Sequence, residues 1–198
     1  KNRFGPTDEV GCFDMTGTGI AEVADPSALF LGHGEPEPGT CVTIAMEGRR
    51  ALPVEIQALA VRQTAPNPRR IVNGVDSSRV AMVLAVLESR MGLTLSDRDV
   101  YVSTVGGVRL IEPAADLAIA IAVANAVKNR KVSKRLAAIG ELTLTGEIRN
   151  VTQAAQRASE AKRLGYHTVL DSSSRKLAQA LNELQARGMP RDEGEPGF

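Results

Sequence analysis

The sequence is poor in aromatic residues and cysteine, and neither sign of charge is in clear excess. Of its 198 residues only 3% are aromatic and none is Trp, which argues against a single-strand binder built on base stacking. Lys and Arg number 24 against 23 Asp and Glu, so any nucleic-acid surface must be local. Cys12 and Cys41 lack metal-ligand spacing. We interpret them as reduced cytosolic thiols, although a single disulfide stays open.

Long apolar segments and the common catalytic motifs are also missing. The longest apolar stretch, residues 114–127, contains Asp116 and Asn125 and is too short to span a bilayer. No GxxxxGK[ST] phosphate loop, GxGxxG or HExxH motif is present, and no secretory signal is recognisable. The two histidines, His33 and His167, stand far apart, and we interpret each as structural or merely exposed. We therefore expect a cytoplasmic protein with no metal site and no membrane partner.

Strand and helix patterns alternate along the chain, which predicts an α/β or α+β fold. A short β-hairpin around residues 16–18 is followed by a Gly- and Pro-rich linker at 32–39. The predicted organisation is an N-terminal segment (1–38), a main domain (39–188) and a flexible tail (189–198). Predicted strands in the main domain cover 40–47, 51–61, 100–104, 136–144 and 168–170, and predicted helices cover 77–91, 114–128, 151–164 and 175–187.

Three local features of the main domain are specific enough to check. Pro53 indicates an edge or a bulge in its strand, because proline cannot donate to a ladder. Ser77 or Ser78 is the expected cap of the first helix. The helix over 114–128 is apolar all round, which predicts burial on all sides.

Motifs in a fixed order resemble the RadA family of bacterial DNA repair proteins. The sequence KNRFG at 1–5 looks like a motif of that family, and residues 113–118 and 140–149 resemble its versions of two Lon protease active-site segments. Residues 75–79 and 106–109 fit as well, so the resemblance covers 1–187. It implies the C-terminal part of a RecA-like ATPase or helicase, in which the end of the ATPase core precedes a Lon protease-like domain of mixed sheet and packed helices.

The resemblance implies that the protease chemistry has been lost. Lon-family hydrolysis uses a Ser nucleophile and a Lys base, and here Ala114 occupies the Ser position and Ala155 the Lys position. Asp116 replaces a Gly of the nucleophile segment and places negative charge where a developing oxyanion needs donors. We expect no catalytic residue and no cofactor in this chain. ATP and Mg are implied for the full-length protein, with zinc in an N-terminal finger that this chain lacks.

Lys1 and Arg3 are candidate residues for the nucleotide of another subunit. In an extended segment residues i and i+2 point to the same side, so the two cations are presented together. The resemblance implies that this pair reaches the ATP of a neighbouring subunit in a hexamer, where it stabilises charge on the transferring phosphoryl group.

Two basic groups are candidate DNA contacts. Five of the eight residues from 128 to 135 are basic, and they follow the buried helix on a predicted surface loop. Clustered cations neutralise phosphates without reading bases, and the scarcity of aromatics favours a duplex backbone. The second group surrounds residues 66–68 and alternatively lies at a subunit interface. The candidates are Lys128, Arg130, Lys131, Lys134 and Arg135 in the first group, and Arg62, Arg69, Arg70 and Arg79 in the second.

Arg109 and Arg149 are less specific, because either can pair with an internal carboxylate such as Glu112 or Glu147. The leading hypothesis is a non-catalytic Lon-like domain that supports a homo-hexamer and holds double-stranded DNA for ATP-driven branch migration, with a RecA-type recombinase as a further candidate partner. Three alternatives stay open: a purely structural oligomerisation module without DNA contact, an independent DNA-binding module, and a serine-lysine peptidase with a nucleophile outside the family position.

Overall fold

The computed structural model describes residues 13–16, 19–22, 31, 37–48, 50–63, 67–133 and 135–187. The first two strands, β1 (Phe13–Thr16) and β2 (Gly19–Glu22), pair antiparallel with Thr16 opposite Gly19. This confirms the predicted β-hairpin.

A mixed six-stranded sheet forms the centre of the main domain, in the order β10-β7-β3-β4-β6-β5. Its antiparallel middle, β3-β4-β6, is flanked by parallel neighbours on both sides. The strands β8 and β9 form a separate antiparallel pair. The mixed sheet with packed helices confirms the predicted α/β class. The strands are β3 (Thr40–Glu47), β4 (Arg50–Arg62), β5 (Arg70–Asn73), β6 (Arg98–Thr104), β7 (Leu136–Ala138), β8 (Glu141–Leu142), β9 (Ile148–Arg149) and β10 (Thr168–Leu170). The helices are α1 (Ser77–Met91), α2 (Asp116–Lys128), α3 (Ala154–Arg163) and α4 (Leu177–Arg187).

One face of the sheet packs against α1 and α2 and forms the main core. Val54 and Ile56 of β4 and Val102 of β6 lie in this core with the apolar side of α1. Every residue of α2 from 116 to 125 is buried, which confirms the prediction for this helix. Its many alanines let the helix lie close to the strands, because small side chains permit short interaxial distances.

The other face of the sheet is covered on one half only. There α3 packs on β3, on β10 and on the start of β4, through a second cluster that includes Ile44, Ile139 and Ala161. On the β4-β6-β5 half, Leu59 and Ile71 stay exposed, and no helix among the described residues covers them.

The predicted edge position of Pro53 is confirmed. In β4, Pro53 lies opposite Ile44 of β3, whereas pairing with β6 begins only at Ile56. Ala58 N donates to Gly39 O at 2.7 Å, so Gly39 and Ala58 form a hydrogen-bonded pair. Hydrogen-bonded and non-hydrogen-bonded pairs alternate along an antiparallel ladder. Five pairs further along, Ile44 and Pro53 are therefore a non-hydrogen-bonded pair. The missing N–H of Pro53 therefore points to the side where β4 has no paired strand among the described residues, as proline requires.

Two local predictions are wrong. The cap of α1 is Asp76 rather than a serine, and its carboxylate accepts from Arg79 N at 2.8 Å. The strand predicted over 136–144 is interrupted, because Gly140 pairs with the start of α2 rather than with the sheet. Gly140 N donates to Ala114 O at 3.0 Å, and Leu117 N donates to Gly140 O at 3.1 Å.

Candidate functional site

The two degenerate catalytic positions have different surroundings. Ala114 lies in a 3-10 turn (Pro113–Ala115) immediately before α2 and is 2% exposed. Ala155 lies in the first turn of α3 and is exposed. A lysine acts as a neutral base when burial lowers its pKa, and an exposed position does not supply that burial. The described surroundings of position 155 therefore do not favour a lysine base.

The carboxylate next to the nucleophile position is held in an internal ion pair. Asp116 is 1% exposed and accepts from both Arg79 Nη2 and Arg79 Nε, the latter at 3.1 Å. Leu142 N also donates to it at 3.0 Å, and Glu141 lies 3.7 Å from Arg79. Burial raises the pKa of Asp116, while the hydrogen bonds from Arg79 and Leu142 act in the opposite direction. Arg79, a predicted DNA contact, is thus engaged inside the domain.

A second internal ion pair lies on the other side of the turn. Arg157 of α3 is fully buried, and its Nη1 donates to Glu112 Oε1 at 2.7 Å while its Nη2 donates to Oε2 at 2.5 Å. The same guanidinium donates to Ile44 O of β3 at 2.6 Å and to Thr152 O at 3.0 Å. Each of the three guanidinium nitrogens therefore donates to an oxygen, as a buried charge requires.

Glu112 therefore pairs with an arginine other than the two that the sequence left open. Arg109 and Arg149 were candidates for a pair with Glu112 or Glu147, but both are exposed, and Glu112 pairs with Arg157. One signal was present: Arg157 and Ala161 are four residues apart, and such residues share a helix face. Both are buried, so this arginine lies on the face of α3 that packs against the sheet.

The first basic group is placed on the surface, as predicted. Lys128 ends α2, and the chain turns at Asn129, which has a left-handed φ of 50°. Arg130 N donates back to Asn125 O at 3.0 Å, which fixes the exit from the helix. Lys128, Arg130 and Lys131 are exposed, and Lys131 lies 3.8 Å from Glu37.

The sequence did not indicate that His167 belongs beside this group. Arg135 and His167 are both exposed, and Arg135 Nη1 lies 3.0 Å from His167 Nε2. Because arginine has no acceptor, any hydrogen bond in this contact runs from the guanidinium to the imidazole. The backbone explains the placement: Thr168 N donates to Arg135 O at 3.1 Å where β7 and β10 begin to pair. His167 immediately precedes β10 and is exposed, as predicted.

The second basic group does not form one surface. Arg70 donates to the backbone carbonyls of Arg69, Arg98 and Leu95 at 3.0, 2.6 and 2.9 Å, so it ties the start of β5 to the β6 side of the sheet. Arg69 is exposed at the edge of the sheet. The side chain of Arg62 is 78% exposed, and its Nε lies 4.0 Å from Asp97.

Lys1, Arg3 and Lys134 lie outside the described residues, as do Cys12, His33 and the tail 189–198. The structure therefore gives no geometry for the contact with ATP that the resemblance assigns to Lys1 and Arg3. In the described ranges, His, Cys, Asp and Glu side chains form no group of three placed to hold a metal ion. None of the helices in those ranges combines the length and the apolar character needed to cross a membrane.

Comparison with known proteins agrees with the motifs. The chain is 45% identical over 171 residues to the DNA repair protein RadA of Halalkalibacterium halodurans, a match that covers 86% of this chain and 37% of the relative. It is 47% identical over 171 residues to RadA of Mycolicibacterium smegmatis (86% and 36%) and 47% identical over 167 residues to RadA of Brucella abortus (84% and 36%). The profile of a family described as subunit ChlI of Mg-chelatase matches residues 77–174. The chain thus spans just over a third of the length of these RadA relatives.

Proposed function

Because the chain is a homologue of a segment of the RadA DNA repair proteins, we propose that it is a non-catalytic domain that holds double-stranded DNA and helps copies of the protein assemble. In this proposal a full-length protein with ATP and Mg drives branch migration as a hexamer in recombinational repair, and it carries zinc in a finger outside this chain. Lys1 and Arg3 serve the ATP of the neighbouring copy, and a RecA-type recombinase is a further partner.

The basic loop after α2 supports the DNA-holding role. Lys128, Arg130, Lys131 and Arg135 are all exposed within eight residues of chain. Their only ion pair in the described part of the chain is the contact from Lys131 to Glu37, and both of those side chains are more than half exposed. Exposed pairs of this kind are weak, so their exchange for a phosphate costs little.

The composition of this loop favours the backbone of a duplex. Residues 128–135 contain no aromatic side chain, so they offer no stacking platform for unpaired bases. Arginine and lysine neutralise phosphates and release counterions, which binds DNA without reading sequence. We therefore expect binding that is strongly salt-dependent and almost independent of base sequence.

The test is the binding of the 198-residue chain to duplex DNA across a salt series. The double variant Lys131→Glu/Arg135→Glu should bind more weakly, and its log–log salt slope should be shallower by about 0.9 for each phosphate contact that is lost. A matched control, Lys162→Glu/Lys176→Glu, changes the net charge equally at exposed positions on α3 and before α4. It should reduce the slope by less. Equal effects of the two double variants would refute a local DNA surface.

A further inference from the structure

The strand β5 lies at one edge of the six-stranded sheet, and its outer side carries unpaired backbone groups. In the described part of the chain β5 pairs with β6 alone, and Val100 N donates to Arg69 O at 2.9 Å. Because successive residues of a strand direct their N–H and C=O groups to opposite sides, Ile71 also bonds towards β6. Arg70 and Val72 therefore point their N–H and C=O groups away from β6, to a side where no described strand pairs with them.

Directly after β5 the chain itself pairs on this outer side. Leu110 N donates to Gly74 O at 2.7 Å, and Leu110 forms a parallel bridge with Val75. Gly74 is two residues beyond Val72, so its carbonyl points to the same side of the strand. Backbone pairing on this side is thus present at 74–75 and absent at 70–72 among the described residues. An open sheet edge of this kind is a template for another extended backbone.

An apolar row on the adjoining sheet face indicates which side chains such a backbone would carry. Leu59 of β4, Tyr101 of β6 and Ile71 of β5 lie side by side in the register, and they line an open groove of about 430 Å³. Leu59 is 58% exposed and Ile71 is 48% exposed. Residues directly opposite each other on neighbouring strands have Cβ atoms about 4.5–5.5 Å apart. An apolar side chain opposite Ile71 on an added strand would therefore extend this row, while its two neighbours point to the other face.

Cations stand at both ends of the unpaired edge. Arg69 immediately precedes β5, Arg109 immediately precedes the residue that pairs with Gly74, and both arginines are exposed. Neither guanidinium has a carboxylate partner among the described residues. A segment with Asp or Glu on either side of its apolar residues is complementary in charge. The alternating donors and acceptors of the edge match a peptide backbone, whereas a DNA backbone offers acceptors alone.

We propose that the open edge of β5 binds an extended segment of another protein, which adds to the sheet as its outermost strand. The backbone of that segment pairs with Arg70 and Val72. An apolar side chain at its centre packs against Ile71, and carboxylates on either side of that side chain meet Arg69 and Arg109. This binding depends neither on the DNA-holding role of the basic loop nor on assembly of copies of the chain.

The first experiment selects peptides from a displayed random library on the immobilised 198-residue chain, and it measures their affinity by fluorescence anisotropy. The enriched peptides should carry apolar residues at alternate positions, with Asp or Glu outside them. Ile71→Glu should weaken their binding by about tenfold or more, the effect typical of a central apolar contact. Leu144→Glu is the matched control, because Leu144 is 64% exposed and lies outside this edge. It should bind like the parent chain, and unchanged circular dichroism verifies that every variant is folded.

The second experiment separates strand addition from contact through side chains alone. In a selected peptide, successive amide nitrogens are methylated one at a time. In an added strand only every second N–H faces β5, so binding should fall by about tenfold at alternate positions and change little between them. Val72→Pro removes an N–H from the open side of β5 without removing a bond to β6, and it should weaken binding. Val72→Thr retains that N–H and should bind more like the parent chain.

The charge of the ligand is tested with two double variants. Arg69→Glu/Arg109→Glu should lose binding of the acidic peptides, whereas Lys162→Glu/Lys176→Glu makes the same change of net charge at exposed positions outside the edge and should retain it. Equal losses in the two double variants would refute the acidic ligand. The inference as a whole is refuted when no selected peptide distinguishes the parent chain from Ile71→Glu, or when methylation shows no alternation. DNA binding is measured separately and does not enter this decision.

Discussion

Arg157 should be one of the costliest single residues to replace in this domain. Substitution of Arg157→Met retains an apolar stem of similar length but removes the charge and every donor. Breaking a buried ion pair costs about 3–5 kcal/mol, because the remaining charge is left without a partner. Glu112 is 31% exposed and regains some water, so the lower part of that range applies. We expect a loss of about 3 kcal/mol, a large share of a typical total stability of about 5–15 kcal/mol.

The assay is urea unfolding monitored by circular dichroism, with the slope m checked for constancy. Arg163→Met on the same helix is the matched control. Its side chain is 69% exposed and pairs with Glu160 at 2.6 Å, so its loss should cost no more than about 1 kcal/mol. The double variant Arg157→Met/Glu112→Gln should lose less than the sum of its single variants, since no unpaired charge remains. Equal losses for Arg157→Met and Arg163→Met would refute this reasoning.

Three further predictions concern buried groups. Burial raises the pKa of the Cys41 thiol above its ordinary range, so in a Cys12→Ser chain a thiol reagent should modify Cys41 only after denaturant is added. Burial raises the pKa of Asp116 in the folded state above its ordinary 3.8. The folded state therefore binds this proton more tightly than the unfolded state does. The free energy of unfolding should then fall as pH rises from about 4 through the folded pKa. Unfolding free energies measured across this window should show that fall in the parent chain, and its persistence in Asp116→Asn would contradict the assignment. Gly140→Ala places a Cβ 2.7 Å from Ile148 Cγ2 and should cost about 1–3 kcal/mol by overpacking, measured by thermal unfolding.

Local patterns predicted most elements of the fold because their signals lie within the elements. The apolar spacing of α1, the all-apolar α2 and the alternating strands β3 and β4 depend on neighbours a few residues away. The break at Gly140 does not, because its hydrogen-bond partner Ala114 lies 26 positions earlier in the chain. A strand pattern continues through residues 139–144, and only the tertiary contact shows that the backbone leaves the sheet.

In the site, too, local features could be predicted from the sequence, whereas contacts between residues far apart in the chain could not. The basic loop after α2 is a local feature, and its exposure followed from the end of an apolar helix. The pairing of Arg157 with Glu112 joins residues 45 positions apart, and that of Arg79 with Asp116 joins residues 37 positions apart. From sequence alone Arg79 was one more surface cation, and the only signal at Arg157 was its helix-face spacing from Ala161.

These two ion pairs flank the short turn at Ala114, where the resemblance places the lost nucleophile. Asp116 on one side attaches the start of α2 to α1 through Arg79, and Glu112 on the other attaches the turn to α3 through Arg157. Each carboxylate therefore forms an ion pair with an arginine of a neighbouring helix, and this pair joins two elements of the domain. A general acid or base must exchange protons with a substrate, whereas these groups are committed to internal donors. This arrangement favours an architectural role for both carboxylates, one that joins the start of α2 to α1 and the turn before it to α3.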